Sequence, residues 1–104
     1  MRVTVQVHIG RLPGNSLVVA DNEVSGWHVR LRWDAAVGAW MAADSGSLNG
    51  TALNGHRISA PGRRPGEEHR LTSDDILQLG SASCIKVCML DIHTCTALRL
   101  PLAL

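Results

Sequence analysis

The sequence predicts an all-β fold, a two-sheet β-sandwich of short strands, on three observations. Apolar and polar residues alternate over short windows, and turn chemistry recurs at close intervals between those windows. No segment sustains a helical period. Many short strands joined by Gly, Pro and Asn turns pack as a sandwich or a barrel. A chain of 104 residues has room for one such domain. Trp27, Trp33 and Trp40 are its whole aromatic set, so the core falls to Val, Leu, Ile and Met.

Residues 2–9 alternate strictly, with Val3, Val5, Val7 and Ile9 on one face and Arg2, Thr4, Gln6 and His8 on the other. Period two with β-branched residues is a strand signature. Residues 10–15, GRLPGN, stop that strand with Gly and Pro. Residues 17–19 form a short apolar strand, ended by Asp21, Asn22 and Glu23. Residues 28–33 alternate again, with Val29, Leu31 and Trp33 against His28, Arg30 and Arg32. Residues 39–43 read as the hairpin partner of that strand, joined through residues 34–38.

Residues 44–55, DSGSLNGTALNG, carry the densest turn chemistry in the chain. Their two Asn-Gly pairs, Asn49-Gly50 and Asn54-Gly55, tolerate positive φ and suit tight turns. Residues 60–69 read as a charged loop rich in Pro and Gly. Residues 75–79 and 85–90 are the last two strands, with a turn over residues 80–83. The domain is expected to span residues 1–91. Residues 92–104 fit no pattern cleanly and are left as an edge strand or a tail.

Bulk properties exclude several classes. A formal charge of +1 argues against nucleic acid or an anionic membrane as a partner. No apolar stretch approaches the roughly 18 residues of a membrane span, and no signal peptide is seen, so an intracellular location, cytoplasmic or nuclear, is expected. The cysteines are Cys84, Cys88 and Cys95. Cys84 and Cys88 would lie about 13 Å apart along a strand, too far for a disulfide, and reduced thiols are expected. His8, His56, His69 and His93 lack metal-ligand spacing, so neither a metal nor a cofactor is expected.

Three motifs occur in a fixed order. Residues 9–31 hold Gly10-Arg11, a short apolar strand and Ser25-x-x-His28; residues 44–54 hold Gly46-Ser47-Leu48-Asn49-Gly50-Thr51 followed by Asn54; residues 71–80 read LTSDDILQLG. This ordered set resembles the forkhead-associated (FHA) family, and within it the kinase-associated class that plants join to a type 2C phosphatase domain. The resemblance covers residues 9 to about 90 and implies a sandwich of the FHA/SMAD-like kind that binds phosphothreonine peptides through its loops.

The chemistry agrees with that implication. A phosphate dianion requires a fixed cation and converging hydrogen-bond donors. Arg11 at a strand end, positioned by Gly10, offers a guanidinium from a loop. By resemblance, Ser25 supplies a hydroxyl to the phosphate and Asn49 holds the ligand backbone beside it. Gly26, Trp27 and Leu48 complete the expected peptide surface. His28 is implied to brace the loops from below, and Gly50, Thr51 and Asn54 to fix the loop that presents Asn49.

Three departures from the family pattern stand out. Leu48 replaces a Thr or Ser common there, at a cost of about 1 kcal/mol for one neutral hydrogen bond. Gly26 replaces the usual Arg or Asn, and Trp27 either walls the peptide or covers a loop. Finally, the family has at least one further strand before Gly-Arg, where nine residues precede it here. The sequence leaves open whether that strand is missing or whether residues 92–104 fill the gap.

The expected partner is therefore a phosphothreonine-containing protein, such as a receptor-like or other protein kinase, bound by a monomer. The alternative is a phosphate-independent interaction or dimerisation domain with a degenerate FHA fold. An enzyme is not expected. Ser25, His28 and Asp44 could be arranged as a triad on paper, but no nucleophile elbow and no acidic metal cluster accompany them.

Overall fold

Nine strands run through residues 5–87, the part of the chain that the computed structural model describes. They are β1 (Gln6–Gly10), β2 (Leu17–Val18), β3 (Val29–Asp34), β4 (Ala39–Asp44), β5 (Thr51–Leu53), β6 (His56–Arg57), β7 (His69–Arg70), β8 (Ile76–Leu79) and β9 (Ser83–Lys86). One sheet has the order β2-β1-β3-β4-β7 and the other β6-β5-β8-β9. The all-β, two-sheet sandwich is thus the fold.

Register follows the alternation in the sequence. β3 and β4 pair antiparallel from Val29↔Asp44 to Asp34↔Ala39, closing the hairpin expected through residues 34–38. β1 pairs antiparallel with β3, which places Ile9 beside Val29 and Val7 beside Leu31. Because side chains alternate across a strand, Ile9, Val29 and Leu31 all turn inward and are buried. Leu77, Leu79 and Ile85 meet them from the second sheet, and Trp40 and Leu71 close the core. Full burial of each such side chain is worth roughly 1.5–3 kcal/mol. Trp40 also meets Trp33 edge to face, with ring centroids 5.7 Å apart.

Two segments read as loops contain strands. Residues 44–55 hold β5, and Asn54-Gly55 turns it into β6 with φ values of 51° and 85°. Residues 60–69 contain a single 3-10 turn at Pro61–Arg63 and run into β7. Strands of two or three residues are too short to display an alternation, so their sequences show only turn residues. The expectations for a leading strand ahead of Val5, for residues 88–90, for Cys88 and Cys95 and for the tail fall outside the described residues.

Candidate functional site

At one end of the sandwich the β1–β2, β2–β3 and β4–β5 loops meet, and the two motif glycines of the first pair explain how. Gly10 lies directly under the Gly26 carbonyl, in space that any Cβ would need. That contact lets the two loops bond as a short ladder: Arg11 N–H donates to the Ser25 carbonyl (3.0 Å) and Leu12 N–H to the Gly26 carbonyl (3.3 Å). Buried Asn15 pins the same place, its Nδ2 donating to the Leu12 and Gly26 carbonyls at 2.9 and 2.6 Å. Asn15 was not singled out from the sequence, where it reads only as a turn residue closing GRLPGN. The Arg11 side chain is steered by one bond, Nε to the Val24 carbonyl (3.1 Å), and forms no ion pair among the described residues.

His28 ties the second loop to the third. Its fully buried ring accepts the Ser25 N–H at Nδ1 (3.0 Å), so the proton sits on Nε2 and is donated to the Gly50 carbonyl (2.8 Å). Burial pushes the His28 pKa below the usual histidine value, against the opposing pull of the Gly50 carbonyl and of Asp44. The ring is therefore a neutral two-ended connector.

Asp44, at the end of β4, organises the third loop. One carboxylate oxygen accepts the N–H groups of Gly46 and Ser47, both at 2.7 Å. The other accepts the hydroxyls of Ser47 (2.5 Å) and Thr51 (2.6 Å). Ser47 Oγ accepts in turn from Gly50 N–H at 3.0 Å. Burial pushes the Asp44 carboxyl up, but the Ser47 and Thr51 hydroxyls and the two amides outweigh it and hold the pKa below the usual aspartate value. Asn54, further along, accepts the Ile76 N–H and donates to Asp75, each at 2.9 Å, fastening β5 to the start of β8.

Between these loops opens a cleft of about 320 Å³. Arg11, Ser25, Gly26, Leu48 and Asn49 line it together, joined by Glu23 and Arg63. Ser25 Oγ accepts the Leu48 N–H (2.9 Å), which leaves its own hydroxyl proton free to turn into the cleft. The Leu48 side chain is 59% exposed. Asn49 Nδ2 donates to the Glu23 carbonyl (2.8 Å), joining the second and third loops across the rim. Trp27 lies off the cleft lining: its ring packs over Gly14 and meets His8 edge to face at 5.6 Å.

Arg63 lies in the stretch read from the sequence as a charged loop rich in Pro and Gly. It reaches the cleft because the Arg63 backbone rests on Gly46 (φ 97°), where a Cβ would approach the Arg63 carbonyl to 2.5 Å. Only the pairing of Gly46 with a distant loop reveals this, and no local pattern records it.

Ser25, His28 and Asp44 form no relay. The His28 ring faces the Ser25 backbone N–H and not its hydroxyl, and Asp44 is bonded to Ser47 and Thr51. Among the described residues no group of three His, Cys, Asp or Glu side chains could hold a metal ion.

Comparison with known proteins finds the same fold and related sequences. A family model for the FHA domain matches residues 7–80. Protein phosphatase 2C 70 of Arabidopsis thaliana is 40% identical over 84 residues, which are 78% of this chain and 14% of that protein. The solution structure of the kinase-interacting FHA domain of kinase associated protein phosphatase from Arabidopsis has a TM-score of 0.74 at 40% identity, over 80% of this chain and 70% of that one. A structure from work on phosphothreonine-dependent FHA domain interactions has a TM-score of 0.60 at 29% identity, over 72% of this chain and 68% of that one.

Proposed function

The chain belongs to the FHA-domain family, and from that premise we propose that its cleft docks a phosphothreonine on a partner protein. The observation that carries the reading is Arg11. Its guanidinium is steered by the Val24 carbonyl, is free of any carboxylate among the described residues, and shares one cleft with the Ser25 hydroxyl and the Asn49 amide. A dianionic phosphate would take charge-assisted bonds from the first and a hydroxyl bond from the second. Asn49, fastened through its Nδ2, keeps its amide oxygen for the backbone of an extended ligand. Each charge-assisted bond is worth roughly 1.5–3 kcal/mol.

FHA domains are interaction modules, and the phosphatase activity in the name of the Arabidopsis relative concerns a protein of which this chain matches 14%. A kinase as the partner is supported by the kinase-interacting neighbour at 40% identity. The exposed Leu48 side chain replaces a hydroxyl with an apolar contact, which suits a methyl-bearing phosphothreonine better than phosphoserine.

Calorimetric titration with phosphothreonine, phosphoserine and unphosphorylated peptide pools tests the proposal. Binding of the phosphothreonine pool, lost in Arg11→Ala, is the expected result. No binding by a demonstrably folded chain overturns it in favour of a phosphate-independent interaction domain.

A further inference from the structure

Gly50 follows Asn49 directly, and its peptide groups are tied to three other segments. Its N–H donates to Ser47 Oγ (3.0 Å), while its carbonyl accepts His28 Nε2 (2.8 Å) and the Gly80 N–H (3.3 Å). Its φ of 87° is left-handed, a value that suits glycine because a Cβ would be strained there. The space that a Cβ would take is already filled. Ser59 Oγ stands 3.0 Å from that position, and Arg57 Cζ and Nη2 each stand 3.3 Å from it.

Both residues come from β6 and the segment just after it. Arg57 faces Ala52 in register, and Ile58 N–H donates to the Thr51 carbonyl at 2.9 Å, which brings this stretch back beside Gly50. Arg57 Nε then donates to Ser59 Oγ at 2.9 Å. Arg57 is an exposed residue, yet its guanidinium forms no ion pair among the described residues. It lines a hollow of about 170 Å³ with Asn49 and Gly50 on one side. It also lines a groove of about 390 Å³ with Ser59, Glu67 and His69, and still leaves the Glu67 carboxylate unpaired. Arg57 is the residue common to both linings. A guanidinium laid against a glycine and tied to a hydroxyl acts through its flat shape, which a lysine ammonium lacks.

We propose that Arg57 and Ser59 are positioning residues for the Asn49 amide. The Ser59 hydroxyl holds the guanidinium against Gly50, and this cover keeps the loop in the shape that offers the Asn49 amide oxygen to the ligand backbone. The inference rests on the phosphothreonine reading for its ligand. With the guanidinium withdrawn, the hollow and the groove merge and the Gly50 peptide gains room to rotate. Asn49 then turns with it, because its side chain is fastened at one point, Nδ2 to the Glu23 carbonyl (2.8 Å).

The test combines three measurements on the whole chain: calorimetric titration with a phosphothreonine peptide pool, urea denaturation, and the NMR signals of the Asn49 side-chain amide. Ser59→Ala and Arg57→Lys are each expected to weaken binding roughly fivefold, about the worth of one hydrogen bond. Each is expected to shift the Asn49 amide signals and to leave the denaturation midpoint near that of the unaltered chain. The double variant is expected to lose no more than either single one, since both changes remove the same cover. Ser59→Thr keeps the hydroxyl and is expected to retain both affinity and signals. Full affinity in Arg57→Lys overturns the inference, because charge alone would then suffice. So do full affinity in Ser59→Ala, an equal loss in Ser59→Thr, losses that add in the double variant, a loss that only tracks the denaturation midpoint, or unmoved Asn49 signals. A folded, unaltered chain that binds no peptide brings down the phosphothreonine reading instead. The Asn49 signals then decide the positioning by themselves: shifted in both single variants they uphold it, and unmoved they overturn it.

Discussion

The Gly26 carbonyl occupies the space that a side chain on Gly10 would need, and this contact joins the Arg11 loop to the Ser25 loop. The clash is with backbone and not with the end of a movable side chain. Asn15 Nδ2, 3.0 Å from the same Cβ position, closes the remaining way out.

Gly10→Ala is therefore expected to force the two loops apart. Overpacking of this kind costs about 1–3 kcal/mol, and a domain of this size loses roughly 4–8 °C in melting temperature per kcal/mol. Phosphopeptide affinity should fall further than stability does, because the ladder from Arg11 to Ser25 carries two of the site residues. Urea denaturation beside peptide titration checks both. A variant of native affinity would show that this contact does not set the site.

Arg11→Lys separates charge from geometry. A lysine lacks both the Nε–H that reaches the Val24 carbonyl and the planar fork that meets phosphate at two points. Binding is expected to drop at least tenfold in Arg11→Lys and to vanish in Arg11→Ala, while both unfold within about 1 kcal/mol of the unaltered chain, as exposed positions do. Full retention by the lysine variant would mean that the cleft senses charge alone.

Asp44→Ala removes the acceptor of four hydrogen bonds at once. The Ser47 and Thr51 hydroxyls and two amides would be left in a buried place without a partner. A loss of about 3–5 kcal/mol is expected, near the limit of what so small a domain survives. Asp44→Asn keeps the shape and one acceptor oxygen and should lose about half as much. Denaturation midpoints of the two variants distinguish a charge-centred network from simple packing.

The strands with clear alternation were legible in the sequence. Ile9, Val29 and Leu31 announce their face by period two, and the 34–38 turn announces its hairpin. The β5–β6 hairpin was hidden because Thr51–Leu53 and His56–Arg57 are too short for any period. At the site, Arg11, Ser25 and Asn49 were found through the spacing of their motifs, and the structure draws them into one cleft. Arg63 and Asn15 were not found, since each acts through a contact across the chain. Arg63 depends on the bare surface of Gly46, and Asn15 on the Gly26 carbonyl 11 residues away. Trp27 was read as either a wall for the peptide or the cover of a loop, and its ring packs over Gly14 and against His8.

Acidification should act on the fold in two separate steps. The His28 pKa lies below the usual 6.5, so between those two values the unfolded chain binds the extra proton and the folded chain does not. Stability from this residue is fully present above about pH 6.5 and is lost as pH falls below it, levelling off once the folded ring also protonates. The Asp44 carboxyl is held below its ordinary 3.8, so its contribution is present above that value and is lost only in stronger acid. A proton on Nδ1 of His28 would face the Ser25 N–H, donor against donor, and release the loop that bears the phosphate contact. Chemical denaturation from pH 7 to pH 5 isolates the first step, and stability is a cleaner readout than binding there because the ligand phosphate itself titrates near pH 6. His28→Gln, folded but less stable, should show a flatter profile over that range. An unchanged slope in the variant would assign the acid sensitivity to some other group and leave His28 a connector only.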